Sequence, residues 1–265
     1  CPINDTSIGN VSVNILRELW RQKINVALFP VQNNIDLSVY DKLDTDFKNW
    51  INLSAETKFK KIKKDTPSLQ VWHINGSQQR LSTKSFLYTF HETSKPTISE
   101  VNICKVHEKV FFSSSYSRDL FRQAGALNAE HVPLGLDEDF KETSRLYLEN
   151  VVHFSLLGKF EKRKNTAAIL RTWAKHFGND PKFHLSCAII NKFIPAEDLN
   201  NSIGQALNGE VYQNINFLPF IPSNSEYNTL LNSIDIDLTG LSGGEGWNLP
   251  AFNATCLGKW SCVLN

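Results

Sequence analysis

Apolar runs of strand type alternate with helix-type patterns along the whole chain. In the first half, strands are expected at 24–30 (INVALFP), 69–74 (LQVWHI), 85–90 (SFLYTF), 109–114 (KVFFSS) and 130–135 (EHVPLG). Between them, 11–22 carries Ile15, Leu16 and Leu19 on one helical face. Residues 41–67 are charged and helical up to Pro67. The stretch 115–125 starts with a serine cap and closes on Gly125, so it reads as a short helix. The polar, charged stretch 136–150 then separates two similar halves.

The second half repeats the alternation more cleanly. Strands are expected at 151–158, 182–191, 215–220, 234–240 and 261–265, and helices at 165–178, 196–208, 225–233 and 250–257. Alternating strands and helices imply right-handed crossovers and parallel sheets. The expected division is 1–145 and 146–265, two doubly wound domains facing each other across a cleft. In such sheets ligands bind beyond the carboxyl ends of the strands.

Composition narrows the picture. Hydrophobic residues make up 41% and charged residues 21%, values typical of a globular chain. A formal net charge of +1 gives no electrostatic case for nucleic acid. The cysteines (Cys1, Cys104, Cys187, Cys256 and Cys262) are odd in number, widely spread and without metal-type spacing, which fits a reducing compartment. No secretory signal is visible, so the Asn-x-Ser/Thr triplets at Asn10, Asn52, Asn75 and Asn253 read as chance matches. No apolar run reaches the roughly 20 residues of a transmembrane helix. The expectation is a cytoplasmic protein, at most peripheral to a membrane. With no methionine in the sequence, the chain is expected to be a fragment or to lack residues.

Candidate chemistry concentrates at 242–258, SGGEGWNLPAFNATCLG. This stretch spends four of the 13 glycines around one carboxylate, Glu245. It follows the strand at 234–240 and leads into a helix that Pro250 is suited to start. A helix start favours phosphate, and glycines let a ligand approach the backbone. A carboxylate repels phosphate but accepts hydrogen bonds from hydroxyls. Together these features describe a site for a sugar phosphate; the competing reading is an ordinary glycine-rich turn with Glu245 in solvent. The motif Asp-Ile-Asp at 235–237 lies within an alternating strand, so no metal site is expected there. No Gly-x-Gly-x-x-Gly pattern supports a nicotinamide enzyme.

The same stretch resembles the donor-binding signature of retaining, GT-B-fold nucleotide-sugar glycosyltransferases. Glu245 stands at the first of that family's paired glutamates, and Gly246, Trp247, Leu249, Pro250, Ala254 and Gly258 match its neighbours. Asn248 stands where glycine is usual, and Asn253 where the second glutamate is usual. Residues 156–173, LLGKFEKRKNTAAILRTW, resemble the family's basic stretch after the first strand of the second domain. Lys159 and Lys164 take the positions of its arginine and lysine, with Arg163 beside them and Gly158 before. Gly9 resembles the glycine of the first loop. Residues 88–140 resemble the first-domain segment with its histidine-bearing loop, where His91 and Glu92 stand, and its Val-Pro-x-Gly-x-Asp ending.

The resemblance implies a GT-B fold, two Rossmann-like domains with the C-terminal one incomplete. It implies transfer of a sugar from a nucleoside diphosphate to a hydroxyl acceptor, glycan, lipid-linked or other, with retained configuration and without metal or other cofactor. The nucleotide sugar is the co-substrate. The implied catalytic set is Glu245, His91, Lys164 and Lys159. The implied binding set is Gly9, Gly158, Arg163, Phe220, Ile221, Gly244, Gly246, Trp247, Asn248, Leu249 and Asn253. His73 competes with His91; His107, His153 and His184 are read as structural. Two other readings stay open: a catalytically impaired sugar-nucleotide-binding protein, suggested by Asn253, and a two-domain receptor for free sugar.

Overall fold

The computed structural model describes residues 1–144 and 148–264. The chain divides into two compact units, Cys1–Gly135 and Leu136–Asn265. The division expected at 145/146 lies outside the described residues.

The first unit is built on a parallel sheet in the order β1-β2-β3-β4, from β1 (Ser68–Val71), β2 (Ser85–Thr89), β3 (Lys109–Phe112) and β4 (Ala129–His131). Helices α1 (Ser7–Arg21), α2 (Thr45–Glu56) and α3 (Lys58–Lys61) precede it. α4 (Ile98–Lys105) joins β2 to β3, and α5 (Ser115–Gln123) joins β3 to β4. Leu87, Val110, Phe112, Phe121, Ala126 and Ala129 form one core cluster. Ile3, Val13, Leu16, Tyr40, Phe47 and Ile51 form another under α1 and α2.

Two expectations change here. Residues 24–30 belong to no sheet. They run beside Cys1–Ile3, held by the Cys1 amino group donating to Phe29 O (3.1 Å) and Val31 N donating to Cys1 O (3.0 Å). Their apolar side chains Val26 and Leu28 enter the α1/α2 core, so burial without a ladder explains the strand-like composition. The second change is α4, which periodicity does not reveal. A capping box starts it: Thr97 accepts from Glu100 N, while Glu100 accepts from Thr97 N.

His107 lies in the turn after α4, its ring between Ser77 Oγ and Ser85 Oγ, each at 3.1 Å. Burial, with a smaller contribution from Arg80, lowers its pKa to about 4. A depressed histidine pKa means that the unfolded chain binds the extra proton more readily. The stability this group contributes is complete above about pH 6.5 and declines as pH falls through about 4. Replacing His107 with Gln should flatten the acid limb of a stability-against-pH curve between those limits.

The second unit carries a parallel sheet in the order β7-β6-β5-β8-β9. The strands are β5 (Val152–Leu157), β6 (Phe183–Ala188), β7 (Ile215–Phe217), β8 (Ile236–Asp237) and β9 (Trp260–Ser261). The crossovers are α6 (Thr166–Phe177), α7 (Ala196–Ala206), α8 (Asn224–Ser233) and α9 (Leu249–Cys256). β5 is central and almost wholly buried; its apolar residues are joined there by His153 and Ser155, both hydrogen-bonded. On one side Phe154, Leu156, Leu170, Trp173 and Leu185 pack together. On the other, Leu157, Leu231, Ile234, Ala254 and Leu257 do.

The strand expected at 234–240 ends early, at Asp237. That carboxylate accepts from Ser155 Oγ (2.9 Å), Thr239 Oγ1 (2.7 Å) and Thr239 N (3.1 Å), folding the chain into a 3-10 turn at Thr239–Leu241. Burial pushes its pKa up, and the hydrogen bonds oppose the shift. Both Asp237 oxygens therefore serve the local fold.

Candidate functional site

Two loops leave the carboxyl ends of neighbouring strands in the second unit. One runs from β5 through 158–165 into α6. The other runs from β8 through 242–248 into α9. Gly158 opens the first loop at φ +102°, a conformation that glycine adopts without strain. Asn165 closes it in the left-handed region, φ 54°. Asn165 makes no side-chain cap on α6; its amide donates instead to Leu241 O at 3.1 Å. The first-turn amides of α6 therefore lack a side-chain cap beside the second loop.

The loops are stitched together. Gly243 N donates to Arg163 O at 2.8 Å, and a Cβ on Gly243 would stand 2.8 Å from that same oxygen. Gly243 is thus required by loop-to-loop contact, a reason independent of any ligand. The Arg163 guanidinium donates to Gly244 O. Its other nitrogen donates to Glu161 Oε2 at 3.3 Å.

At the centre of this contact Lys164 Nζ donates to Glu245 Oε1 at 2.5 Å. Arg163 Nη1 lies 3.7 Å from the same oxygen, and Ser242 Oγ donates to it at 2.8 Å. The lysine and glutamate side chains keep 16% and 17% of their exposure, so the pair is shielded but reachable. Glu245 Oε2 makes no hydrogen bond among the described residues. Pairing with Lys164, 81 residues away, and with its neighbour Arg163, rather than free solvation, is what the structure shows for Glu245. Ser242 and Glu161 complete the cluster; neither is singled out by the sequence, although Ser242 lies in the same short turn.

Asn248 explains its own departure from glycine. It sits in the left-handed region (φ 63°, ψ 70°) as the N-cap of α9. Asparagine tolerates this region better than most residues with a side chain. Its Oδ1 accepts from Ala251 N (3.3 Å) and its Nδ2 donates to Thr239 O (3.0 Å). Asn248→Ala should lose about 1–2 kcal/mol in a thermal or urea melt, and Asn248→Gly only a few tenths.

The other expected residues are distributed as follows. Gly246 is buried, Leu249 begins α9, and Trp247 packs edge-on against Phe252 at 5.0 Å. Trp247 Nε1 is buried without a hydrogen-bond partner among the described residues. Asn253 is buried within α9. Lys159 Nζ stands over the Phe193 ring at 4.5 Å, and Lys192 Nζ over Phe220 at 3.8 Å. Phe220 and Ile221 follow β7. Near the carboxyl ends of β6 and β7 lies a pocket of ≈ 490 Å³, lined largely by Ile189, Ile190, Ile194, Leu199, Phe217 and Leu218.

Gly9 and His91 belong to the first unit. Gly9 lies in the first turn of α1, where a Cβ would stand 2.3 Å from Asn4 O. Its amide is taken by the Thr6 cap at 3.1 Å, so that amide is already used. His91 follows β2, is buried against Phe121 (4.9 Å, edge-on), and its Nε2 is 2.9 Å from Thr93 Oγ1. Burial lowers its pKa, against smaller opposing contributions from Glu100, Glu92 and Thr93.

Searches for a matching family model and for a curated relative find none. Solved structures do match. The chain is similar to sucrose-phosphate synthase from Thermosynechococcus elongatus (12% identity, 88% of this chain and 62% of that one, TM-score 0.60). It is similar to a trehalose-6-phosphate synthase studied for glycosyl transfer with retention (11% identity, 82% and 62%, TM-score 0.58). It is also similar to HepE of Anabaena in complex with UDP (17% identity, 68% and 53%, TM-score 0.50). The structural neighbours are GT-B glycosyltransferases. The fold is GT-B. The chain spans 53–62% of the length of these three structures. Within the GT-B fold, the Lys164–Glu245 cluster occupies the carboxyl ends of β5 and β8, the end of a parallel sheet that binds ligands. Among the described residues no helix is long and apolar enough to cross a membrane.

Proposed function

We propose that this chain is a retaining glycosyltransferase of hexosyltransferase type. It moves a sugar from a nucleoside diphosphate to a hydroxyl acceptor. The observation that carries the proposal is the meeting of Lys164, Arg163 and Glu245 where two strand-end loops touch. Phosphate oxygens replace the carboxylate as partners of Lys164, and the α6 amides add their partial positive charge. Glu245, released from the lysine, accepts hydrogen bonds from hydroxyls of the sugar. As the bond between the anomeric carbon and the diphosphate breaks, negative charge grows on the leaving oxygen. Lys164 and Arg163 stabilise it there. The donor is a co-substrate, and lysine and arginine rather than a metal meet its diphosphate. The apolar pocket near Phe217 and Phe220 is suited to the flat faces of a base. His91, in the first unit, is assigned to the acceptor side.

A second reading, a protein that binds nucleotide sugar without turning it over, is favoured by one observation. Asn253 offers no charge to ribose hydroxyls and is buried in α9. A thermal-shift screen of nucleoside diphosphates and their sugars, on the natural chain and on Glu245→Ala, tests the site. Stabilisation by one donor that disappears in the variant is expected. Equal shifts in both proteins would remove Glu245 from the site. A free sugar that stabilises without nucleotide would point to a receptor instead. Release of nucleoside diphosphate in the presence of hydroxyl acceptors separates the enzyme from the inert binder.

A further inference from the structure

The segment Thr57–Lys64 (TKFKKIKK) stands apart from the rest of the molecule. A chain of net charge +1 places five of its 28 lysines and arginines within seven residues here, against only the flanking Glu56 and Asp65. Phe59, in the middle of α3, is 76% exposed. It lies edge-on to Phe29 at 5.6 Å, with Lys58 Nζ 5.6 Å from its ring centre. Lys58 and Lys61 are tied back to the fold. Lys58 Nζ donates to Asn33 Oδ1 at 2.7 Å, and Lys61 Nζ donates to Val26 O at 3.2 Å. Lys60, Lys63 and Lys64 are exposed and make no side-chain hydrogen bond or ion pair among the described residues.

We infer that this segment docks the protein on the surface of a lipid bilayer bearing anionic headgroups. The inference stands apart from the sugar-transfer reading. A protruding ring surrounded by ammonium groups on flexible stems matches a flat interface. The ring enters the boundary between headgroups and acyl chains, and the lysines reach the anionic groups around it. The fixed pairs of Lys58 and Lys61 hold the short helix so that Phe59 stays presented. A single-stranded nucleic acid is served less well. It calls for a basic track with several stacking platforms, and here one ring stands among lysines without an arginine.

The test uses vesicle sedimentation at about 0.1 M salt. Phosphatidylcholine vesicles with about 30 mol % phosphatidylserine should bind the protein, and pure phosphatidylcholine should not. Lys60→Glu/Lys63→Glu/Lys64→Glu should weaken binding more than about 100-fold, and Phe59→Ser about tenfold. Both sets of changes are at exposed positions, and an unchanged circular dichroism spectrum and melting curve would show that the fold is kept. Salt at about 1 M should release the protein. Equal binding to uncharged vesicles, no binding at all, or wild-type binding by both variants would overturn the inference. So would displacement by millimolar inorganic phosphate, or tighter binding to a single-stranded oligonucleotide that the same variants abolish.

Discussion

Lys164→Met should lower the rate of sugar transfer by about 10²–10³-fold, because it removes the cation proposed to meet charge on the leaving diphosphate. The same change should leave a mark on the free protein. Glu245 would keep Ser242 at 2.8 Å and Arg163 at 3.7 Å but lose its 2.5 Å partner while remaining mostly shielded. A half-buried carboxylate without its partner is destabilising by an amount on the order of 1–3 kcal/mol. Adding Glu245→Gln should restore most of that loss without restoring transfer. The double variant therefore separates folding from chemistry. Melting curves read the first and nucleotide release reads the second. If Lys164→Met kept full transfer activity, its role at the diphosphate would be untenable.

The second large effect concerns the core beneath the site. Trp173 is buried on α6, with Phe154 at 5.8 Å and Phe177 at 5.6 Å between ring centres. Trp173→Ala should cost about 3–5 kcal/mol through lost burial and the cavity left behind. Trp173→Phe should cost less than about 1.5 kcal/mol, since the ring contact survives. It also removes an indole N–H that has no hydrogen-bond partner among the described residues. Two units make a single unfolding free energy ill-defined. Amide hydrogen exchange in β5 and β6 is the cleaner measure. Protection there should drop by a hundredfold or more in the alanine variant and by about tenfold at most in the phenylalanine one.

Much of this architecture can be read from residue patterns, and the exceptions have physical causes. β5 and α6 show plainly, because a mostly apolar buried strand and an amphipathic helix each leave a strong signal. The segment 24–30 has strand composition yet no ladder, since apolar burial and hydrogen-bonded pairing are separate requirements. α4 has little amphipathic contrast, and only Thr97 and Glu100 announce it. β8 is shortened by an aspartate that turns back to bond its own downstream threonine. At the site, residue identity marks Glu245, Lys164 and Arg163 singly. Their contact depends on β5 and β8 being neighbours, which is a matter of strand order rather than local sequence. Asn248 reads as a departure from glycine until its positive φ is known; the two residues then answer the same backbone demand.

That strand order also governs synthesis. β5 is hydrogen-bonded to β8 across 82 residues of chain, as in the bond from Ser155 to Asp237. At about 5–20 residues per second, a ribosome needs about 4–16 s to deliver the second after the first. Among the described residues, the strands of the first unit's sheet are all made by His131, so that sheet can close while translation continues. The central strand of the second meanwhile waits with one edge open and with Leu157 uncovered, because Leu231, Ile234, Ala254 and Leu257 come later in the chain. This interval is when a nascent chain of this design most needs a chaperone, and slow codons placed between the two strands would lengthen it.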